Sequence, residues 1–284
     1  AQDGGGIAVH SAKLIIEPGC TIGGDEASKG NKTLASGKGG GIYVGKKAVC
    51  TIKEGVTIQH NTAKVQNSLL NGGGGIYVGD PDSTEEANMG TLIVKGTADK
   101  PVNIKDCIIN DTFGAGGGIY SKGKVTLTHV HISGCKALMS GGLGGGIYVR
   151  HGQCTLIDSE VSSCEASAAG GGVYVYKDML VGGLFTMKGS TRIVPSGDNR
   201  KGNNDIFLKK DNGDTYITLS GELTGEKSLG RITVPDMNYN TSTKVLDGDI
   251  ANDENYKKFA VTPGGSPIQY WYVGSDGKLT QVAP

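Results

Sequence analysis

Along most of the chain, glycine runs lead into short alternations of apolar and polar residues, and one hexapeptide pattern returns six times. It reads GGGIAV at 4–9, GGGIYV at 39–44, 73–78 and 144–149, GGGIYS at 116–121 and GGGVYV at 170–175. Counted from the first apolar residue (Ile7, Ile42, Ile76, Ile119, Ile147 and Val173), the intervals are 35, 34, 43, 28 and 26 residues. Near-identical hexapeptides at unequal spacing predict a fixed strand joined by loops of differing length. Each copy is followed by a second alternating run, such as AVCTIKEGVTIQHN at 48–61, KVTLTHVHISGC at 124–135 and QCTLIDSEVSSC at 153–164. Period-two alternation is the mark of half-buried β structure. Each repeat therefore holds about three short strands.

Helical pairs are excluded, because glycine triplets and β-branched runs oppose helix. A propeller blade would need four antiparallel strands and regular hairpin turns, which the repeats lack. The pattern predicts an all-β chain folded as a right-handed parallel β-helix of about eight coils, each stacked ~4.8 Å from the next. Residues 1–203 carry the regular GGGIYV-type coils. Residues 204–284 continue as irregular coils and a C-terminal cap: NNDIFLKK at 203–210 sets Ile206, Phe207 and Leu208 where Val173, Tyr174 and Val175 stood. TYITLSGELT at 215–224 and KKFAVTP at 257–263 read as further coil segments.

The register resolves into columns. The Ile and Val positions of GIYV point inward. The middle position, Ala8, Tyr43, Tyr77, Tyr120, Tyr148 and Tyr174, points outward by alternation. In the second run Cys50, Val125, Cys154 and Phe185 share an inward column, and Thr51, Thr126, Thr155 and Thr186 form an outward ladder. Ile58, Ile104, Ile132 and Val161 line up further on, each followed three residues later by Asn61, Cys107, Cys135 or Cys164. The glycine triplets fall where the chain turns a corner and where successive coils lie against one another, and both demands suit glycine.

Composition narrows the class. There are 49 glycines but only 8 prolines and no Gly-X-Y period, so the chain is not collagen. The formal charge is zero and the pI near 7.1, which argues against nucleic acid or an anionic membrane as partner. No apolar run reaches the length of a membrane span. The opening AQDGGG enters a repeat directly, without Met or a signal-peptide pattern, and reads as a mature or trimmed segment. The six cysteines follow the inward columns and read as reduced, buried thiols rather than disulfides.

Candidate chemistry is sparse. His129 and His131 could hold a metal on one strand face. A surface ladder of His131, Glu160 and Arg192 on successive coils explains the same residues without one, and no cofactor is expected. DNGD at 211–214 and DGD at 247–249 lack calcium-loop spacing and read as turns. Asp158, Glu160 and Glu165 are the densest carboxylate set for polysaccharide cleavage, but they spread along one coil without partners in neighbouring coils. The main binding candidate is the row Tyr43, Tyr77, Tyr120, Tyr148 and Tyr174, read as an exposed stripe beside a flat glycine strip. Its structural alternative is a stacked row that stabilises its own sheet.

The repeated GGGIYV, with Ile-x-x-Asn or Ile-x-x-Cys and a variable loop after it, resembles the right-handed parallel β-helix repeat proteins of bacterial surfaces. It is similar in particular to repeat-rich surface proteins of oral spirochaetes. It is more distantly similar to the chlamydial polymorphic outer-membrane-protein repeats, which pair Gly-Gly-x-Ile with Phe-x-x-Asn. Gly40, Gly41 and Ile42 match the first of those motifs in part. Ile58 with Asn61 matches the second with Ile in place of Phe, and later coils put Cys in place of Asn. The resemblance covers most of 4–203. It implies a cell-surface or secreted location and adhesion to host proteins or glycans, and it carries over no catalytic residue. The leading expectation is a monomeric, non-enzymatic adhesin or binding scaffold. The alternatives are a polysaccharide-degrading enzyme and a structural array protein that stacks end to end.

Overall fold

The computed structural model describes residues 3–34, 37–64, 72–80, 85–177, 182–195, 202–210, 215–225, 228–250 and 252–284. The DNGD turn at 211–214 lies outside them. The chain winds as a parallel β-solenoid of about seven turns, and its strands fall into four stacked parallel sheets. The hexapeptides build the longest, the Tyr sheet. Its nine strands run Ile7–Val9, Ile42–Val44, Ile76–Val78, Ile119–Ser121, Ile147–Val149, Val173–Val175, Ile206–Leu208, Gly230–Thr233 and Phe259–Val261. The second runs build a Thr sheet of eight strands, from Lys13–Ile16 to Leu246–Gly248. A third sheet of six strands includes Val102–Lys105, Val130–Ser133, Glu160–Ser162 and Arg192–Ile193. Sequence patterning anticipates three strands per turn. The middle turns add a fourth of two residues each: Thr62–Ala63, Ile108–Ile109, Lys136–Ala137 and Glu165–Ala166.

The registers agree with the predicted columns. Ile42 pairs with Ile76, Ile119 with Ile147 and Val173 with Ile206. In the Thr sheet Cys50, Leu92, Val125, Cys154 and Phe185 form one row, all turned into a dry core. The threonine row beside it is half-buried and is broken once, by Ile93 between Thr51 and Thr126. Each Val, Leu or Ile shut into this core contributes about 1.5–3 kcal/mol, which is what holds segments of so little helical or hairpin character in place.

The triplet at 116–118 shows why three glycines are needed. Gly116 has φ +70° and turns the chain sharply, so that a Cβ there would sit 2.4 Å from the Ile119 carbonyl oxygen. A Cβ on Gly118 would lie 2.6 Å from the carbonyl oxygen of Gly146 in the next turn and 3.2 Å from the Cys135 sulfur. The first glycine is thus conformational and the third is steric.

Opposite that third glycine runs a polar column. Asn61 donates from Nδ2 to the Ile22 carbonyl at 2.9 Å, whereas the Cys107, Cys135 and Cys164 thiols lie nearest the Lys105, Ser133 and Ser162 carbonyls of their own turn, at 3.4, 3.5 and 3.3 Å, with the Ile58, Ile104 and Ile132 carbonyls of the turn below at 3.8, 3.7 and 3.9 Å. Asn204 completes it with a bond to the Val161 carbonyl at 3.1 Å. The asparagines bond the turn below, while the thiols fill the same slot with their shorter contact inside their own turn. All six cysteines are free, and five are buried. Cys20 corrects the expectation of six inward thiols, because it is exposed.

The Tyr and Thr sheets run unbroken past residue 204, through Ile206–Leu208, Ile217–Leu223, Gly230–Thr233, Leu246–Gly248 and Phe259–Val261. The third and fourth sheets stop at Arg192–Ile193 and Glu165–Ala166. An antiparallel pair, Tyr272–Val273 with Leu279–Thr280, follows the last turn. Trp271 packs beside it against Tyr239, with ring centres 6.1 Å apart.

Candidate functional site

The tyrosine row stands on the outer face of its sheet, as alternation requires, but it is not exposed. Tyr77, Tyr120 and Tyr148 are 0% accessible, Tyr43 3% and Tyr174 4%. The rings form a continuous stack. Centroids lie 5.4 Å apart for Tyr43–Tyr77, 5.0 Å for Tyr77–Tyr120, 5.1 Å for Tyr120–Tyr148 and 5.2 Å for Tyr148–Tyr174, and Phe207 extends the column at 5.0 Å. At the triplets starting at 116, 144 and 170, the turn at the first glycine brings the residue before it against the rings. Gly72, Ala115, Leu143 and Ala169, each directly before a triplet, pair between turns as a second parallel ladder. Ala115 and Ala169, with Leu143 and Tyr176, join the rings in a separate apolar cluster.

The expectation of a surface stripe at Tyr43, Tyr77, Tyr120, Tyr148 and Tyr174 is therefore corrected: the rings are a second core under a roof of loops. Burial pushes the Tyr77, Tyr120 and Tyr148 phenols above their ordinary range, with neighbouring phenols adding to it at Tyr77 and Tyr148. What the roof exposes is its own side. Leu34, Phe113, Leu138 and Met139 lie on the loops before the triplets at 39, 116 and 144; Leu34 is mostly exposed and the other three are about half exposed. Phe113 and the following loop are locked together: the Phe113 N–H donates to the Ser140 carbonyl at 2.7 Å, and its ring lies on Gly141.

The polar candidates gather elsewhere. His131, Glu160 and Arg192 form one column across the third sheet, as the spacing predicts. They line a cleft of about 420 Å³ with Asp158, Ser190, Thr224 and Ser228. Arg192 donates twice to one Glu160 oxygen, from Nε at 2.8 Å and Nη2 at 2.6 Å. Asp158 turns the corner with φ 49° and accepts from the Ser190 N–H at 2.9 Å and hydroxyl at 3.1 Å, all through Oδ1. Glu165 does not join them. It stands in the fourth sheet 3.9 Å from the Lys136 ammonium and lines a smaller cleft with Asn203 and Asn204. His129 is a corner residue with φ 48° and does not line the cleft that His131 enters. Among the described residues no three His, Cys, Asp or Glu side chains gather as metal ligands.

Ser190, Thr224 and Ser228 escape sequence reading because later turns bring them in across loops of unequal length. The roof left a signal that was legible, the small or apolar residue directly before four triplets.

These features define a class: an all-β parallel solenoid with one apolar core inside the tube, a second against its outer wall, a small third cluster of Ala63, Ile109, Ala137 and Ala166, and a polar cleft on another face. No protein-family model, curated protein or solved structure matches the chain at a significant level. Among the described residues no helix is long and apolar enough to cross a membrane.

Proposed function

We propose that the chain is a non-enzymatic binding scaffold of the cell surface or extracellular space, an adhesin that contacts a host protein or glycan through its loops. The observation that carries this reading is the set of exposed apolar side chains on the roof, Leu34, Phe113, Leu138 and Met139. Apolar groups grouped on loops over a rigid frame are the usual anatomy of a contact surface. The carboxylates support it from the other side. Asp158 serves a turn, Glu160 is engaged by Arg192, and Glu165 faces Lys136. The resemblance to bacterial surface repeat proteins agrees with this location. A binding screen against host matrix proteins and glycans tests the proposal, repeated with Phe113, Leu138 and Met139 all changed to serine. Loss of about tenfold or more in affinity is expected, since buried aromatic and aliphatic anchors dominate such contacts. Unchanged binding removes the roof from the account.

A second reading is a polysaccharide-degrading enzyme, favoured by the convergence of Asp158, Glu160, His131 and Arg192 in one cleft. New reducing ends or unsaturated products from acidic polysaccharides, absent with Glu160→Gln, would replace the first reading with this one.

A further inference from the structure

The polar cleft on the third sheet is separate from the roof loops and calls for its own ligand. Its volume of about 420 Å³ falls in the range of about 300–1,000 Å³ typical of small-molecule sites. Its lining alternates fixed acceptors and donors. Arg192 donates to Glu160 Oε2 through Nε and Nη2, which among the described residues leaves Oε1 open to a donor and Nη1, on the far edge of the guanidinium, open to an acceptor. Asp158 spends Oδ1 on Ser190, and among the described residues Oδ2 makes no bond of its own. Ser228 and Thr224 also line the cleft, and His131 precedes Glu160 in the column.

The side chains are held from behind. The corner at Asp158 is fixed by its bonds to Ser190, and the Arg192 strand is paired to Glu160. Open carboxylate oxygens suit hydroxyl donors and an open guanidinium edge suits a hydroxyl acceptor, and a sugar carries hydroxyls that do both. The described lining carries two carboxylates to one guanidinium, so a ligand with its own carboxylate is disfavoured and an amino group is favoured.

We infer that this cleft is a saccharide subsite, selective for neutral or amino sugars and against uronates. It goes beyond the loop contact proposed above and does not depend on it. Because the favoured sugars are not the acidic ones, it also separates ligand binding here from acidic-polysaccharide cleavage.

Saturation-transfer NMR on the whole chain tests this with three probes: cellotriose, a glucosamine trimer and a galacturonate trimer. Signals are expected from the first two, and weaker or none from the third. Glu160→Gln and Arg192→Lys are each expected to lower affinity for the glucosamine trimer by about ten- to a hundredfold, the worth of one charge-assisted hydrogen bond. Both groups are surface groups in an ion pair of small stability value, so the variants fold, which far-UV dichroism checks. Phe113→Ser leaves saccharide binding unchanged, so failure of the roof proposal and failure of this one are distinguishable. The inference is overturned if neither cellotriose nor the glucosamine trimer binds at concentrations up to about 10 mM. It is also overturned if galacturonate binds as well as glucosamine, or if both variants bind as the parent does.

Discussion

Replacing Tyr120 by alanine separates the two places a tyrosine on the outside of a solenoid can occupy. Its ring is wholly buried and lies 5.0 Å from Tyr77 and 5.1 Å from Tyr148. Truncating a buried aromatic to alanine costs about 3–5 kcal/mol through lost transfer energy and the cavity left behind. Two stacked neighbours, each worth about 0.5–1.5 kcal/mol beyond area, put the expectation in the upper part of that range. An exposed tyrosine would change stability by no more than about 0.5 kcal/mol.

Urea unfolding followed by far-UV dichroism reads the difference, with the slope compared between variants because solenoids can lose cooperativity. Ionisation gives an independent readout. Burial holds the Tyr77, Tyr120 and Tyr148 phenols above the ordinary value, which is about 10. The folded chain keeps protons that the unfolded chain gives up. This stabilisation is complete below a pH of about 10 and is lost as pH rises towards the native values. Near-UV absorbance should therefore show these rings ionising only as the fold gives way. A loss under about 1 kcal/mol for Tyr120→Ala, together with all phenols titrating freely near 10, would refute the second core.

Three further outcomes follow from packing. A thiol reagent added to the native chain should modify Cys20 quickly and the other five cysteines only on unfolding, since those five are buried; burial pushes Cys50 and Cys154 up to about 12. Gly118→Ala should lower stability by about 1–3 kcal/mol or more, because its methyl would meet backbone of the next turn at 2.6 Å; thermal unfolding checks it. Ser121→Val should raise the unfolding midpoint, by about 1–3 kcal/mol in stability. The Ser121 hydroxyl is buried without a partner between Val78 and Val149 of its own column.

The columns were legible because side-chain direction in a strand alternates strictly and each GGGIYV copy restarts the count. Ile42 over Ile76 and Glu160 over His131 both follow from counting alone. Facing away from the tube was legible too, but reaching water was not. Whether Tyr120 meets solvent depends on the 110–115 loop, whose path has no period to read. The alanine and leucine before successive triplets were the available clue, since a solvent-facing loop has little use for them. At the cleft, Glu160 and His131 were placed by register. Glu165, read as spread along the same coil as Glu160, lies beyond a corner on another sheet.

A rod built this way cannot flex equally in every direction. The aromatic column lies along one side of the tube, with rings already touching at 5.0 to 5.4 Å. Curving towards that side would crush these contacts, and curving away would part them. The column therefore acts as a batten fixed to one wall, and whatever sway the molecule has is steered into the plane at right angles to it.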